Sequence, residues 1–222
     1  LFVDDDGTII VADTRNFRLV EFTERGNFRY AYKVPESELL GDDFSFQPVK
    51  VIKDDRGYIY VTSVADYRGV MLLNSDGEFS SYFGANTVSL TVWESIVKML
   101  WSREDTKGTI VKLPYTFQNI YISDDGYIYA TTAGTSSEQV RKISSAGTNV
   151  LYSGVNFSDP GVKTDPSFFD VTVDSYNNMF VLDNMAGRIY EYDEWGQNLF
   201  VFGRKGSGVG QFLNPQSIVV DD

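Results

Sequence analysis

The 222-residue sequence contains no histidine and no cysteine. The absence of histidine excludes, for this stretch of chain, histidine general bases, Ser-His-Asp triads and histidine-ligated metals. The absence of cysteine excludes disulfides, thiolate nucleophiles and zinc-thiolate sites. It does not fix a compartment, because an exported bacterial protein can lack cysteine as readily as a cytoplasmic one.

Long apolar runs and positive charge are also scarce. No apolar run reaches the roughly 18 residues of a membrane span, and no signal peptide is recognisable. We therefore expect membrane attachment only through segments outside this chain. The chain contains 19 Lys and Arg residues and 31 Asp and Glu residues, which gives a net charge of −12. Because an acidic surface repels phosphate backbones, nucleic acid is not expected as a partner.

What the sequence does contain is a repeated phrase of the type Asp-x-Gly-x-Ile-Tyr-Val. The phrase or a variant of it occurs at residues 5–7, 55–57, 124–126, 174–177 and 221–222. From the anchor Gly7 to Gly57 is 50 residues, to Gly126 a further 69, and to Asn177 a further 51. Periodicity of this size indicates a repeat architecture whose unit has the length of a propeller blade, with one insertion in the middle interval.

Each repeat unit has the pattern of a short antiparallel meander. An apolar alternating run at residues 49–52 leads into an Asp-Gly turn and then into a second run at 58–61, which predicts a β-hairpin. In the first unit two further runs, at 18–22 and 28–32, flank a turn at Gly26. Four short strands per unit predict an all-β fold, a β-propeller of four-stranded antiparallel blades. The abundance of aromatic residues, with 14 Tyr and 16 Phe, suits such an interior.

A family resemblance supports this fold. Residues 6–20 resemble the signature of the NHL repeat, with residues 16–19 near the family's naming tripeptide. Residues 202–212, followed by Asn214 and Pro215, are similar to the family's junction between blades. The resemblance covers nearly the whole chain, and it implies an NHL-type β-propeller, which usually has six blades.

A looser resemblance concerns the setting. Residues 35–40, the junction at 83–86 and the inserted segment after it are similar to the extracytoplasmic propeller of bacterial proteins that fuse NHL repeats to a Yip1-like membrane domain. This resemblance implies a location at the outer face of a bacterial membrane, in a protein linked to carbohydrate uptake.

The repeat count predicts one incomplete propeller domain over residues 1–222. Residues 1–3 read as the end of an innermost strand and residues 216–220 as the start of another, so about four units are present. Propellers of the NHL type rarely close with four blades. We therefore expect a fragment of a longer polypeptide, with one to two blades missing.

The insertion at about residues 86–110 is the one passage with a helical pattern. Apolar residues recur at helical spacing between residues 91 and 103, and the segment is too short to span a bilayer. One hypothesis is a helix packed across a face of the propeller. The other is a docking surface or lid in which Trp93 and Trp101 contact a partner.

Pairs of aspartates ahead of the turn glycines permit two interpretations. Carboxylate oxygens are calcium ligands by type. However, the pairs recur at equivalent positions in the repeats, where aspartate supplies local hydrogen bonds to a turn. We predict this structural role, and no metal or other cofactor. Two further pairs with a five-residue spacing, Asp13 with Arg18 and Asp183 with Arg188, are predicted to interact within their blades.

The candidate ligand-binding residues come from the repeat spacing. The position seven residues before each anchor, near the start of the innermost strand, holds Lys50, Asn119, Asp170 and Ser217. All four are polar and no two are alike, as a site around a central axis requires. The alternative is that they are strand-start residues in contact with channel water.

Three function classes remain open, and no catalytic residue is predicted. The first is a non-catalytic binding or scaffold propeller for a protein, peptide or glycan. The second is a divalent-metal-dependent lactonase or hydrolase similar to gluconolactonase propellers, to which Asn119 and Asp170 would contribute and in which Lys50 would repel the metal. The third is a structural propeller that docks through its inserted helix.

Overall fold

The computed structural model describes residues 1–41, 44–64, 66–84, 116–133, 138–151, 157 and 166–221. Nearly all regular structure in these ranges is β-strand, and their one helical element is a 3-10 turn at Thr14–Asn16. None of the described residues forms a helix long and apolar enough to cross a membrane. The predicted helix at 91–103, with Trp93 and Trp101, lies outside the described residues.

Four antiparallel sheets follow one another along the chain, and in each the strands pair with their chain neighbours. The first sheet contains β1 (Phe2–Val3), β2 (Ile9–Asp13), β3 (Arg18–Phe22) and β4 (Phe28–Tyr32). The second contains β5 (Pro48–Lys53), β6 (Ile59–Ser63), β7 (Val70–Leu73) and β8 (Phe79–Phe83). The third contains β9 (Thr116–Ile122), β10 (Ile128–Ala133) and β11 (Val140–Ile143). The fourth contains β12 (Phe168–Val173), β13 (Met179–Asp183), β14 (Arg188–Tyr192) and β15 (Asn198–Phe202).

The predicted fold class is confirmed: the sheets are blades of a β-propeller. Strands β3 and β4 have the bounds that the sequence predicted, and the turn between them is centred on Gly26. The first strand of each sheet is the innermost, because these strands contact one another in the order β1, β5, β9 and β12.

Two details differ from the sequence-based expectation. In the part of the chain that the structure describes, the third sheet has three strands and, beyond them, one bridge between Ile143 and Asn149. There the Lys142 amide donates to the Asn149 side chain (3.2 Å), and the Lys142 carbonyl accepts from the Val150 amide (2.8 Å). In addition, residues 216–221 form no strand.

The Asp-Gly phrases form the turns between the first two strands of each sheet. In each turn, the residue three positions before the anchor donates its amide to the carbonyl of the residue four positions after it; in the second sheet Asp54 donates to Tyr58. The amide of the anchor, Gly57 in that sheet, donates to the carbonyl of the same residue, Asp54. The carboxylates of Asp54 and Asp174 each accept two backbone N–H groups of their own turn. These bonds give Asp54 and Asp174 the structural role that the sequence predicted for the turn aspartates.

Apolar side chains fill each gap between neighbouring sheets. Strand alternation sends consecutive residues into different cores: Val51 packs in the core shared with the first sheet, and Ile52 in the core shared with the third. A third core, with Tyr129, Met179 and Tyr190, joins the third and fourth sheets. Each sheet is thus packed on the next face to face.

An arginine fixes the long connection between the first two sheets. The Arg68 guanidinium donates to both carboxylate oxygens of Asp66 (2.9 and 3.1 Å) and to the Leu40 carbonyl (3.1 Å). It lies against the rings of Phe44 and Tyr82. Tyr82 also donates to Asp66 (3.0 Å), and burial, followed by the Asp66 charge, raises the pKa of Tyr82 well above its usual range.

The predicted pair of Asp13 and Arg18 is confirmed. Arg18 Nε donates to Asp13 Oδ2 at 2.9 Å, and Asn16 Nδ2 donates to Asp13 Oδ1 at 2.8 Å. These bonds hold the pKa of the Asp13 carboxyl below its usual value. Asp183 and Arg188 are direct cross-strand neighbours, as the same pairing requires.

Replacement of Gly77 by alanine is expected to destabilise the fold more than the same change at Gly126. Both glycines have left-handed φ angles, +84° and +78°, so each alanine incurs backbone strain of about 1 to 2 kcal/mol. A Cβ at Gly77 would also lie 2.4 Å from Cδ1 of Tyr32, whereas at Gly126 it meets nothing within 4 Å. Urea unfolding of the two variants measures the difference. Equal losses of stability would show that the Tyr32 contact imposes no constraint.

Candidate functional site

A cavity of about 820 Å³ lies along the innermost strands. All four sheets contribute their first strand to its lining, and so does the segment at residues 217–219. Lys50, Asp170 and Ser217 of the predicted set line this cavity, and the fourth residue, Asn119, is buried beside Asp170. The cavity is within the size range of ligand-binding pockets, roughly 300 to 1,000 Å³.

A backbone irregularity recurs beside the predicted residues. In the second, third and fourth sheets the innermost strand contains a register shift, and the residue directly after the extra one is Lys50, Asn119 or Asp170, respectively. A β-bulge bends its strand and redirects the neighbouring side chains. The repeat spacing identified these positions, but it did not predict the bulge, because a bulge is defined by pairing with a second strand.

Three of the four predicted residues meet at the carboxylate of Asp170. Asn119 Nδ2 donates to Oδ1 at 2.5 Å, and the Val171 amide donates to the same oxygen at 2.9 Å. Ser217 Oγ donates to Oδ2 at 2.7 Å, and the Ile218 amide donates to it at 3.0 Å. With four donors, both oxygens are fully hydrogen-bonded.

The Asp170 cluster joins parts of the chain that are distant in sequence. We use this name for Asn119, Asp170 and Ser217 with the Val171 and Ile218 amides. The cluster connects β9 of the third sheet, β12 of the fourth sheet and the segment after β15. Asp170 is only 2% exposed, so its charge is stabilised by these bonds instead of by water.

Lys50 occupies the same position in the second sheet but is not part of this cluster. Its backbone amide donates to Thr62 Oγ1 at 3.2 Å. In the described ranges, no hydrogen bond or ion pair involves its ammonium group. The two other side-chain cations of the cavity are engaged, since Lys53 Nζ lies 2.6 Å from Asp4 Oδ2 and Arg56 Nη2 lies 2.7 Å from Asp54 Oδ2. Lys50 therefore presents a partly buried positive charge to the cavity.

The turn end of the cavity is acidic. The carboxylates that line it come from the turns of the first three sheets: Asp4, Asp5, Asp54, Asp55, Asp124 and Asp125. Tyr60 also lines this end, and its hydroxyl donates to Asp54 Oδ2 at 3.1 Å. Burial, followed by the Asp54 charge, raises the pKa of Tyr60 to about 12. The cavity thus has an acidic turn end and, at the bulges, an end that contains Lys50.

The described part of the chain holds no group of three or more His, Cys, Asp or Glu residues placed to bind a metal ion. The two sequence-predicted candidates for a metal ligand, Asn119 and Asp170, are adjacent. Their mutual hydrogen bond and the other bonds at Asp170 already use the carboxylate oxygens that a cation would require. The arrangement as it stands is a structural clamp between blades.

No protein-family model matches the sequence, and neither does any curated protein. Solved β-propellers do match the structure. Virginiamycin B lyase from Staphylococcus aureus superposes with a TM-score of 0.57 at 13% identity, over 97% of this chain and 57% of the lyase. A protein of unknown function from Bacteroides caccae gives 0.53 at 13% identity, over 97% of this chain and 62% of its own.

A chain from a nidogen–laminin complex gives a TM-score of 0.55 at 14% identity, over 90% of this chain and 61% of its own. At these identities the likeness shows the fold alone. The chain spans about three fifths of the length of these similar structures.

Replacement of Asp170 by alanine is expected to lower the free energy of unfolding by about 3 kcal/mol, because it leaves buried donors without an acceptor. Asp124→Ala is the matched control, since Asp124 lines the same cavity but is exposed; we expect a change of less than about 0.5 kcal/mol. Urea denaturation followed by tyrosine fluorescence measures both. If the two variants unfold at the same midpoint, the Asp170 cluster does not clamp the blades.

Tyr60 is expected to lose its proton only as the pH approaches 12. Because its pKa is higher in the folded state, the stability that this proton contributes is complete below about pH 10 and is lost as the pH rises through 12. The difference in tyrosinate absorbance between the wild type and Tyr60→Phe measures this midpoint. A Tyr60 midpoint at the ordinary tyrosine value of about 10 would contradict the expectation.

Proposed function

We propose that this chain is part of a non-catalytic, ligand-binding β-propeller whose central cavity holds the ligand. The uncommitted ammonium group of Lys50 is the observation that carries the proposal. A partly buried charge without a partner is unfavourable unless something pairs with it. In the same cavity the two other side-chain cations, Lys53 and Arg56, each have a carboxylate partner.

The residue types favour binding over catalysis. The 222 residues contain no histidine or cysteine, so the chain offers neither a base of ordinary neutral pKa nor a thiolate. The most buried carboxylate of the cavity, Asp170, is engaged by four donors. Among the similar structures is a catalytically inactive histidine-to-alanine variant of virginiamycin B lyase with quinupristin. The present sequence cannot supply a histidine for that chemistry.

The metal-dependent lactonase remains the rival function. It would need a cation held by groups such as Asn119 and Asp170. To bind a metal, Asp170 would have to give up hydrogen bonds to Asn119 and Ser217 that join two blades and the segment after the fourth sheet. Lys50 would also place a positive charge at the same end of the cavity, which opposes cation binding. The geometry therefore weighs against this function.

The wider setting of the propeller is proposed from the sequence resemblance. We infer an NHL-type propeller of six blades in the complete protein, on the extracytoplasmic side of a bacterial membrane, in a system linked to carbohydrate uptake. Its partner is a protein, peptide or glycan at the propeller face. The insertion with Trp93 and Trp101 is the candidate docking element for a membrane complex, which is the third function class. The similar nidogen chain comes from a complex with laminin, a precedent for protein binding by this fold.

Blocking the cavity is expected to weaken ligand binding without unfolding the protein. Ser145 is exposed and lines the cavity, so Ser145→Trp would fill part of it. Ser81→Trp, on the exposed side of β8, is the matched control. Labelled protein is applied to printed arrays of peptides and oligosaccharides, and affinities of the captured ligands are then measured in solution. We expect at least a tenfold loss of affinity, about 1.4 kcal/mol, for Ser145→Trp alone.

Two results on the arrays would overturn the proposal. One is that both tryptophan variants bind every captured ligand as tightly as the wild type does. The other is that the wild type captures nothing on either array.

A further inference from the structure

We propose that the ligand of the central cavity is an acidic oligosaccharide, in which the carboxylate of a uronate unit pairs with Lys50 and sugar hydroxyls contact the acidic turn end. This inference rests on the proposed function of the cavity and adds the chemical class of the ligand.

Lys50 determines that the ligand carries a negative group. The ammonium is partly buried, so an ion pair formed there is less screened by water and salt than one at the surface. Asp170 also lines the cavity, but its oxygens are occupied by Asn119, Ser217 and two amides. An external carboxylate can therefore pair with Lys50 without competition from that group.

The turn end determines what the remainder of the ligand offers. The carboxylates of Asp5, Asp55 and Asp124 line the cavity, and the described residues provide them with no side-chain hydrogen-bond donor. An ionised carboxylate only accepts hydrogen bonds. A ligand that extends from Lys50 to this end gains hydrogen bonds there if it presents donors, and the hydroxyl groups of a sugar do so at several points around the ring.

The charge distribution excludes ligands with many negative groups. A phosphate-rich polymer would meet one uncommitted lysine and a row of aspartates in a protein of net charge −12. A basic peptide would form ion pairs with the aspartates, but its positive charge would be repelled by Lys50 at the other end. A chain with an isolated carboxylate and many hydroxyls is complementary to both ends of the cavity, and this describes a uronate-containing oligosaccharide.

Calorimetric titration of the 222-residue protein with oligogalacturonate, and with the same oligomer as its neutral methyl ester, tests the inference. We expect the acidic oligomer to bind about tenfold more tightly than the ester, with an affinity that falls as salt is added. Lys50→Met is expected to lower the affinity for the acidic oligomer to that for the ester. Lys50→Arg retains the preference. Lys33→Met, which removes an exposed lysine outside the cavity, leaves the affinity unchanged.

The outcomes separate this inference from the proposed function. Equal affinities for the acid and its ester, or an acid preference that survives Lys50→Met, would overturn the uronate assignment. A ligand whose affinity is lowered by Ser145→Trp would still support a binding cavity. Capture of a basic peptide instead of either oligomer would do the same. If no array ligand is sensitive to Ser145→Trp, the proposed function itself fails.

Discussion

The dry contact between neighbouring sheets is the constraint on which the rest of the structure depends. Each inner sheet packs apolar residues on both of its faces, as Val51 and Ile52 show by entering different cores. Polar groups at the ends of these contacts must then find partners across the gap, since water is excluded. Thr14 donates to the Pro48 carbonyl, Thr131 donates to the Phe169 carbonyl, and Asn119 donates to Asp170. The polar contacts between blades are therefore consequences of apolar packing.

The parts of the fold that the sequence predicts are those governed by local chemistry. Strands β3 and β4 were located because alternation and the turn at Gly26 specify a hairpin within about a dozen residues. The edge of the third sheet was not predicted. There the side chain of Asn149 accepts a hydrogen bond from the Lys142 amide, and that bond depends on how close the chain lies to Lys142.

The sequence predicted the positions of the candidate site but not the contacts between them, because local chemistry does not specify contacts between repeats. Repeat spacing places Lys50, Asn119 and Asp170 at one equivalent position, and the structure adds that each follows a bulge. The spacing cannot tell which of them interact, because those bonds cross from one repeat to the next. The structure separates the set into a clamp around Asp170 and a lysine without a partner. The proposed function rests on this division, because it leaves Lys50 for a ligand.

The meander order of every sheet has a consequence for how the chain folds. All strand pairs join chain neighbours, so each blade closes through short loops, and its formation costs little loop entropy. The Asp170 cluster is different, because its side-chain bonds span 51 and 47 residues, about one full repeat. Those bonds require two adjacent blades that already exist. We therefore expect blades to form as local units and the clamp to close late, so that the loss of Asp170 accelerates unfolding far more than it slows folding.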